Sequence, residues 1–335
     1  MSINYYPIIK WKKGEQEALR NFDLAYTNFY PIIEIVDECS PIVFFTDLSS
    51  CYSAPIYFDL SRFQSKYLYN FIVYAADNDI QAYPIFHIQN LLESADNVLP
   101  SKFSVKIPIS VDFEDPTIIE ILKRLSSYKN REISLILDAG EVIESRIEGI
   151  TYKTYCKVIS DNIEILSEFE NIIICLTSFP ERLSIESGKD KVYERYDILI
   201  FKKIIERYKD SELHGKIQYS DYGVTKFTKS EIDFSKMQYG ILPKVKYTTG
   251  ELYIVKKGAK DRIRNVFTRS YIDIAREIVN SPYFYGQNFS YGDQCIYNKA
   301  TLPKSSPGNP QQWVTYCANH HFTLLMEQLS NLSDF

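Results

Sequence analysis

The stretch 5-YYPIIKWKKGEQEALRNF-22, followed by 29-FYPIIEI-35, decides how this chain is read. Two short apolar runs flank a charged segment of helical period, which together read as a strand, a helix and a second strand. Working outward, the same alternation recurs. Further strands are expected at 55-PIYFDL-60, 82-AYPIFHI-88, 103-FSVKIPI-109, 133-ISLILDA-139, 171-NIIICLTS-178 and 217-IQYSDYG-223. Helices are expected over residues 14–22, 61–77, 116–128, 152–169 and 191–208, the last with Tyr196, Leu199, Ile200, Lys203, Ile204 and Tyr208 near one face. Eight βα units predict an α/β fold, a (β/α)8 barrel of TIM type. The second crossover, 38-ECSPIVFFTDLSSCYSA-54, places a proline and several β-branched or aromatic residues where a helix belongs, so an irregular turn is expected there.

Beyond residue 225 the pattern changes. The run 241-ILPKVKYTTGELYIVKKG-258 reads as a hairpin turning at 248-TTGE-251. A helix over 267–280, a loop over 281–295 and a Pro/Ser/Gly stretch at 303-PKSSPGNP-310 follow, then a helix over 311–330 placed to close the barrel from outside. The expected organisation is a barrel over residues 1–230 with a C-terminal hairpin and helical appendage over 231–335 packed on it.

Composition narrows the function classes. With 335 residues, 45% hydrophobic and 24% charged, the chain can bury a sizeable core. A formal net charge of −5 repels a polyanion, so direct nucleic-acid binding is not expected. No apolar run approaches the ~18 residues of a bilayer span, and the N-terminus lacks the pattern of an export signal, so a cytoplasmic protein without membrane contact is expected. Cysteines 39, 51, 156, 175, 295 and 317 form no C-x-x-C pair and read as reduced, mostly buried thiols. The aromatic fraction of 15% fits either a large aromatic core or a protein interface.

In a barrel, chemistry belongs at the carboxyl ends of the strands. The polar residues there are Lys10, Lys12, Glu34, Asp59, His87, Asp112, Asp138, Ser178 and Asp221. Carboxylates, a histidine and lysines around one rim can bind a metal or run acid–base chemistry on a phosphate or sugar. Polar strand ends also arise simply because they face solvent. Adjacent His320 and His321 point about 100° apart on a helix and are poorly placed to share one metal. Asp293 is expected on the glycine-containing turn 290-SYGDQC-295, and 256-KKGAKDRIR-264 forms a local basic patch. The glycines of 286-GQNFSYG-292 have the spacing of neither a P-loop nor a dinucleotide fingerprint. No cofactor and no metal are assigned.

Taken in order, several of these stretches resemble the beta family of proteins found in phages, satellite phages and bacterial mobile islands. The opening 6-YPIIKWKKGEQEALRNF-22 with 31-PIIEI-35, the eighth-strand 220-SDYG-223, the loop 289-FSYGD-293, Gly308-Asn309, Trp313 and 319-NHHF-322 carry the resemblance. It implies a component of an antiviral, phage-defence module, encoded beside a toxic protein and a small regulator and helping to restrain the toxic member until infection. The co-encoded toxic effector is then the expected partner, and no established reaction accompanies the family. Two readings stand. One is a regulator acting by protein contact; the other is a barrel enzyme of hydrolase or lyase type acting on a phosphate-containing or nucleotide substrate. The candidate pocket comprises Lys10, Lys12, Glu34, Asp59, His87, Asp138, Asp221, Asp293 and His320. The terminal motifs are expected to converge on the barrel, with Asp293 or a histidine of the pair near Lys10, Lys12, Glu15 or Asp221.

Overall fold

The computed structural model describes residues 2–91, 99–142, 146–225, 242–261 and 263–332. Every expected barrel strand is present: β1 (Ile8–Lys10), β2 (Ile32–Glu34), β3 (Ile56–Asp59), β4 (Ala82–His87), β5 (Lys102–Pro108), β6 (Glu132–Glu141), β7 (Asn171–Thr177) and, after β8 (Asp190–Glu194), β9 (Ile217–Ser220). They pair in parallel in the order β1-β2-β3-β4-β5-β6-β7-β9. The seam between last and first strand is bridged by Tyr5 and Tyr219, with Tyr6 N donating to Tyr219 O at 2.8 Å and Ile8 N to Asp221 O at 2.7 Å. This is the expected TIM-like barrel.

The crossovers contain α1 (Lys13–Arg20), α2 (Pro41–Cys51), α3 (Ser65–Asp77), α4 (Ile88–Leu91), α5 (Pro116–Ser126), α6 (Ile150–Asp161), α7 (Ile163–Leu166) and α8 (Tyr196–Tyr208). The second crossover is a helix and not the irregular turn expected. Pro41 sits at its start, where no backbone N–H is needed, the Ser40 hydroxyl accepts from Val43 N, and Phe44, Phe45 and Leu48 are buried. The helix expected over 152–169 breaks at Asn162 into α6 and α7. That over 191–208 loses its first residues to β8, which pairs with a strand of the appendage, so a tertiary partner overrides the local helical period. The buried face of α8 is Asp197, Ile198, Ile200, Phe201, Ile204 and Tyr208, and Lys203 is exposed.

In the appendage, β10 (Lys244–Thr248) and β11 (Leu252–Lys257) form the expected hairpin, extended by β8 into a three-stranded antiparallel sheet. A second hairpin joins β12 (Ala259–Asp261) and β13 (Val266–Arg269), so the helix expected from residue 267 starts only at α9 (Tyr271–Val279), where Ser270 and Asp273 form a capping box. The expected loop over 281–295 ends in α10 (Tyr291–Thr301), capped by Ser290. Asp293 therefore lies in the first turn of a helix, not on an open turn, and it complements the helix dipole there. The last helix, α11 (Pro310–Leu332), lies on α1. There Thr315 Oγ1 donates to Gly14 O at 2.9 Å and Asn319 Nδ2 to Ala18 O at 3.1 Å.

The aromatic residues go largely into this packing. Phe22 and Phe29 pack ring against ring, tilted by 30° with centroids 4.1 Å apart, and Phe322 of α11 meets Phe29 at 5.6 Å, all three buried. All six cysteines are free thiols, with Cys39 and Cys295 partly exposed and the others buried. Among the described residues no helix is long and apolar enough to cross a membrane.

Gly292 is where α10 crosses α11 most closely: a Cβ there would lie 2.1 Å from Tyr316 O. Backbone cannot yield as a side-chain tip can. Gly292→Ala is expected to cost about 2–3 kcal/mol of stability, read as a fall in the denaturant midpoint. An unchanged midpoint would refute this account of the helix crossing.

Candidate functional site

Side chains alternate along each strand, so parity decides which of the strand-end residues face the barrel axis. The inner cluster of Tyr6, Ile8, Ile32, Tyr57, Ile85, Ile136, Ile173, Cys175 and Tyr222 fixes that parity. Ile9, Ile33, Phe58, Phe86, Leu135, Leu137 and Leu176 belong to the outer core under the helices. Two residues beyond Ile8, Ile32, Tyr57, Ile85 and Ile136 come Lys10, Glu34, Asp59, His87 and Asp138. Above the apolar and tyrosine-lined floor, the barrel thus carries a charged layer at its carboxyl end.

Lys106 is at the centre of this layer. It is buried, its ammonium lies 3.1 Å from Asp138 Oδ2, and it donates to the Tyr222 hydroxyl at 3.0 Å. That hydroxyl donates to Asp138 Oδ2 at 2.6 Å, and Gly140 N donates to Asp138 Oδ1 at 2.9 Å. Burial opposes the charge on Lys106, but Asp138 and Asp59 outweigh it and hold the ammonium above its ordinary range. Burial likewise opposes ionisation of Asp138, yet the Lys106 charge and the Tyr222 bond hold its carboxyl below the usual range. Burial, then Asp138, push the Tyr222 hydroxyl and the Cys175 thiol well up, so the thiol is a neutral group and not a ready nucleophile.

A second pair lies beside the first, since His87 on β4 is the register partner of Lys106 on β5. His87 Nε2 lies 3.2 Å from Asp59 Oδ2, whose other oxygen accepts from Ser61 N at 2.8 Å. Burial raises the Asp59 pKa, but the bond and charge of His87, with Lys106 behind them, bring it well below normal. Beside it, Arg62 Nε donates to Glu34 Oε1 at 3.0 Å. A carboxylate-oriented histidine beside a lysine, a second carboxylate and a tyrosine hydroxyl puts groups able to accept and donate protons next to a cation on neighbouring strand ends. Among the described residues no three His, Cys, Asp or Glu side chains gather as a metal centre requires.

The remaining candidates lie elsewhere. Lys12 is half-buried at the start of α1, on the rim. Asp112 is exposed and turns back on Glu114 N at 2.9 Å, while Ser178 is buried against α8, where it accepts from Asp197 N. Asp221 points outward because it has the opposite parity to Tyr222. It accepts from Tyr5 OH at 2.7 Å and Gly223 N at 2.9 Å, and faces His321 Nε2 at 3.0 Å. His320 Nδ1 lies 2.7 Å from Asp293 Oδ2 and its Nε2 lies 2.8 Å from Thr248 O, while Tyr247 OH donates to Asp293 Oδ1 at 2.7 Å. Both histidines and both aspartates are fully buried. The terminal motifs thus converge on the eighth strand, but as a seat for the appendage and not in the mouth. Arg195, also fully buried, joins this seat through Thr249 O at 3.0 Å and Gln328 Oε1 at 2.8 Å, against the ring of Tyr253.

The strand-end reading missed Lys106, Tyr222 and Arg62. Lys106 was legible as a lone lysine, two positions from Ser104, inside an otherwise apolar strand. Tyr222 read as part of a motif and not as an inward side chain, and Arg62 stands beyond its strand.

With this geometry in place, the sequence family described as Beta protein matches residues 5–326. The chain belongs to the beta protein family. Among solved structures, the crystal structure of the biosynthetic arginine decarboxylase SpeA from Campylobacter jejuni is similar at 11% identity and a TM-score of 0.37, over 98% of the beta protein. The beta protein spans 56% of that enzyme's chain. No curated protein matches it.

The two groups of residues answer differently to substitution. Asp221→Ala strands His321, Tyr5 and Gly223 N in a buried site and is expected to cost about 3–5 kcal/mol. His87→Gln, at a position 22% exposed, is expected to cost under about 1 kcal/mol. The Asp221 carboxyl is held below its ordinary range against burial, with His321 the largest opposing cause, so its contribution is present above the unfolded pKa. It is lost as pH falls through the folded one. The gap between wild type and Asp221→Ala in denaturant melts is therefore expected to narrow in acid; a gap that widens would contradict the assignment.

Proposed function

We propose that this beta protein serves in a phage-defence module by restraining a co-encoded toxic effector, and that the restraint runs through acid–base chemistry at the barrel mouth. The substrate is a phosphate-containing or nucleotide molecule, as the lysines of the mouth and rim suit an anion. The observation that carries this is the inward layer of Lys106, Asp138 and Tyr222 beside Asp59 and His87. A barrel can be filled by apolar side chains, and burying ions costs stability, so charges concentrated at the face where barrels do chemistry support a working site.

Restraint by contact alone is the second reading, and one observation favours it. Ile42, Val43 and Val73 are more than half exposed, and a groove of about 340 Å³ beside Tyr69 and Tyr74 lies between α2 and α3. Adjacent exposed apolar groups suit a protein partner.

Co-expression of the toxic neighbour with beta-protein variants separates the two readings. His87→Gln and Asp59→Asn are expected to reduce rescue by roughly 100-fold or more, at unchanged copurification and melting temperature. Full rescue by both variants would sink the chemical reading and leave contact restraint standing.

A further inference from the structure

The exposed apolar groups of this surface are not scattered singly. Among the described residues twelve large hydrophobic side chains are exposed, and six of them fall in two places. Ile42 and Val73 line the groove between α2 and α3, with Val43 beside them, while Ile263, Val266 and Phe267 sit on the hairpin of β12 and β13. Clustered apolar surface of this kind marks a contact.

The two places carry opposite charge. Around the groove, 36-VDECSPIVFFTDLSSCY-52 and 64-QSKYLYNFIVYAADNDI-80 hold five carboxylates, Asp37, Glu38, Asp47, Asp77 and Asp79, against Lys66 alone. All five are exposed, Asp77 lines the groove itself, and among the described residues none of them has a cationic partner. The hairpin, 259-AKDRIRNVFTR-269, holds four cations against Asp261. Arg269 ties its base to Asp190 of β8 at 2.7 Å and to Glu277 of α9 at 2.9 Å. Nearer the tip, Lys260 lies over the ring of Phe267, and the Arg264 side chain, 3.7 Å from Asp261, is 82% exposed. Both surfaces are held in shape. Ile263 N and Arg264 N donate to Asp261 Oδ1 at 2.9 and 3.1 Å, and Asn265 turns the chain at a φ of 56°, so Ile263, 96% exposed, stands on a fixed tip. The groove walls are helices whose inner residues Phe44, Phe45 and Phe71 are anchored in the core. Little ordering cost opposes insertion of one into the other.

We propose that the β12–β13 hairpin of one copy docks in the α2–α3 groove of a second copy, its apolar tip against Ile42, Val43 and Val73 and its cations against the acidic rim. The occupant is a second copy because the chain itself supplies both halves of the match, apolar on apolar and cations on unpaired carboxylates. The contact is heterologous, since each copy offers a hairpin to one surface and a groove to another. It goes beyond the proposed function and does not rest on chemistry at the mouth.

Sedimentation equilibrium of the full chain at about 50 mM salt is expected to give a mass that rises with concentration above that of one chain, with a Kd in the micromolar range, and raising the salt to about 500 mM is expected to weaken the association severalfold. Two variants change exposed side chains only: Ile263→Asp on the hairpin, and Ile42→Gln combined with Val73→Gln in the groove. Each is expected to weaken self-association about tenfold or more at unchanged melting temperature. Mixed in equal amounts, the two are expected to form one-to-one pairs, because the first keeps its groove and the second its hairpin. A wild type that stays a single chain at the same concentrations overturns the proposal. So does association that survives either variant, or a mixture that does not pair. A groove that serves the toxic effector instead shows itself as a single-chain wild type whose groove variant alone loses copurification, which equally overturns docking between copies.

Discussion

Asp221 and Tyr222 are neighbours in sequence and point to opposite sides of the barrel wall, and the molecule depends on that alternation. Inward, the Tyr222 hydroxyl bridges Lys106 and Asp138. Outward, Asp221 receives Tyr5 from the seam and His321 from the last helix. The residue pair therefore closes the barrel, seats the appendage and completes the charged layer at once. A one-residue slip of the eighth strand would exchange the two faces and lose all three.

The two polar networks on either side of this wall obey different rules. On the outer side both histidines have fixed partners at both ring nitrogens: His321 lies between Asp221 and Thr248 Oγ1, and His320 between Asp293 and Thr248 O. Such a network specifies how two layers dock, because any other register strands several buried polar groups together. On the inner side His87 remains partly exposed, Asp138 is half-buried, and the pairs lie at the face where strands feed their loops. Ions held there stay within reach of a ligand, whereas those of the outer network are sealed behind α11.

The barrel was legible because its strands announce themselves at regular intervals as apolar runs bounded by turn residues, and periodicity is a local signal. What was not legible was long-range. Nothing in 190-DKVYE-194 reveals that a strand some sixty residues later will claim it, and Ser40-Pro41 outweighs the aromatic residues of α2 only once Phe44 and Phe45 have a core to enter. The site divided along the same line. Lys10, Glu34, Asp59, His87 and Asp138 follow from strand ends, but separating them from Asp221 needs the pleat phase of each strand. That phase becomes fixed only when the inner and outer clusters are known.

The stretches through which the sequence resembles the beta family are then not the residues that line the inner charged layer. Ser220-Asp221-Tyr222-Gly223, Phe289–Asp293 and Asn319–Phe322 form the outer network, where shape and hydrogen bonding demand particular residues in a row: a glycine under Tyr316 O, an amide reaching Ala18 and Asn21, two histidines with separate aspartates. Docking an appendage needs contiguous residues on one helix or turn, so its signature is a motif. A barrel mouth draws one side chain from each of several strands, so its signature is scattered single letters such as Lys106 and His87, visible only after the sheet closes. A resemblance read through such motifs is thus carried by assembly, whereas the chemistry proposed for the barrel mouth draws on the opposite face of the same strands.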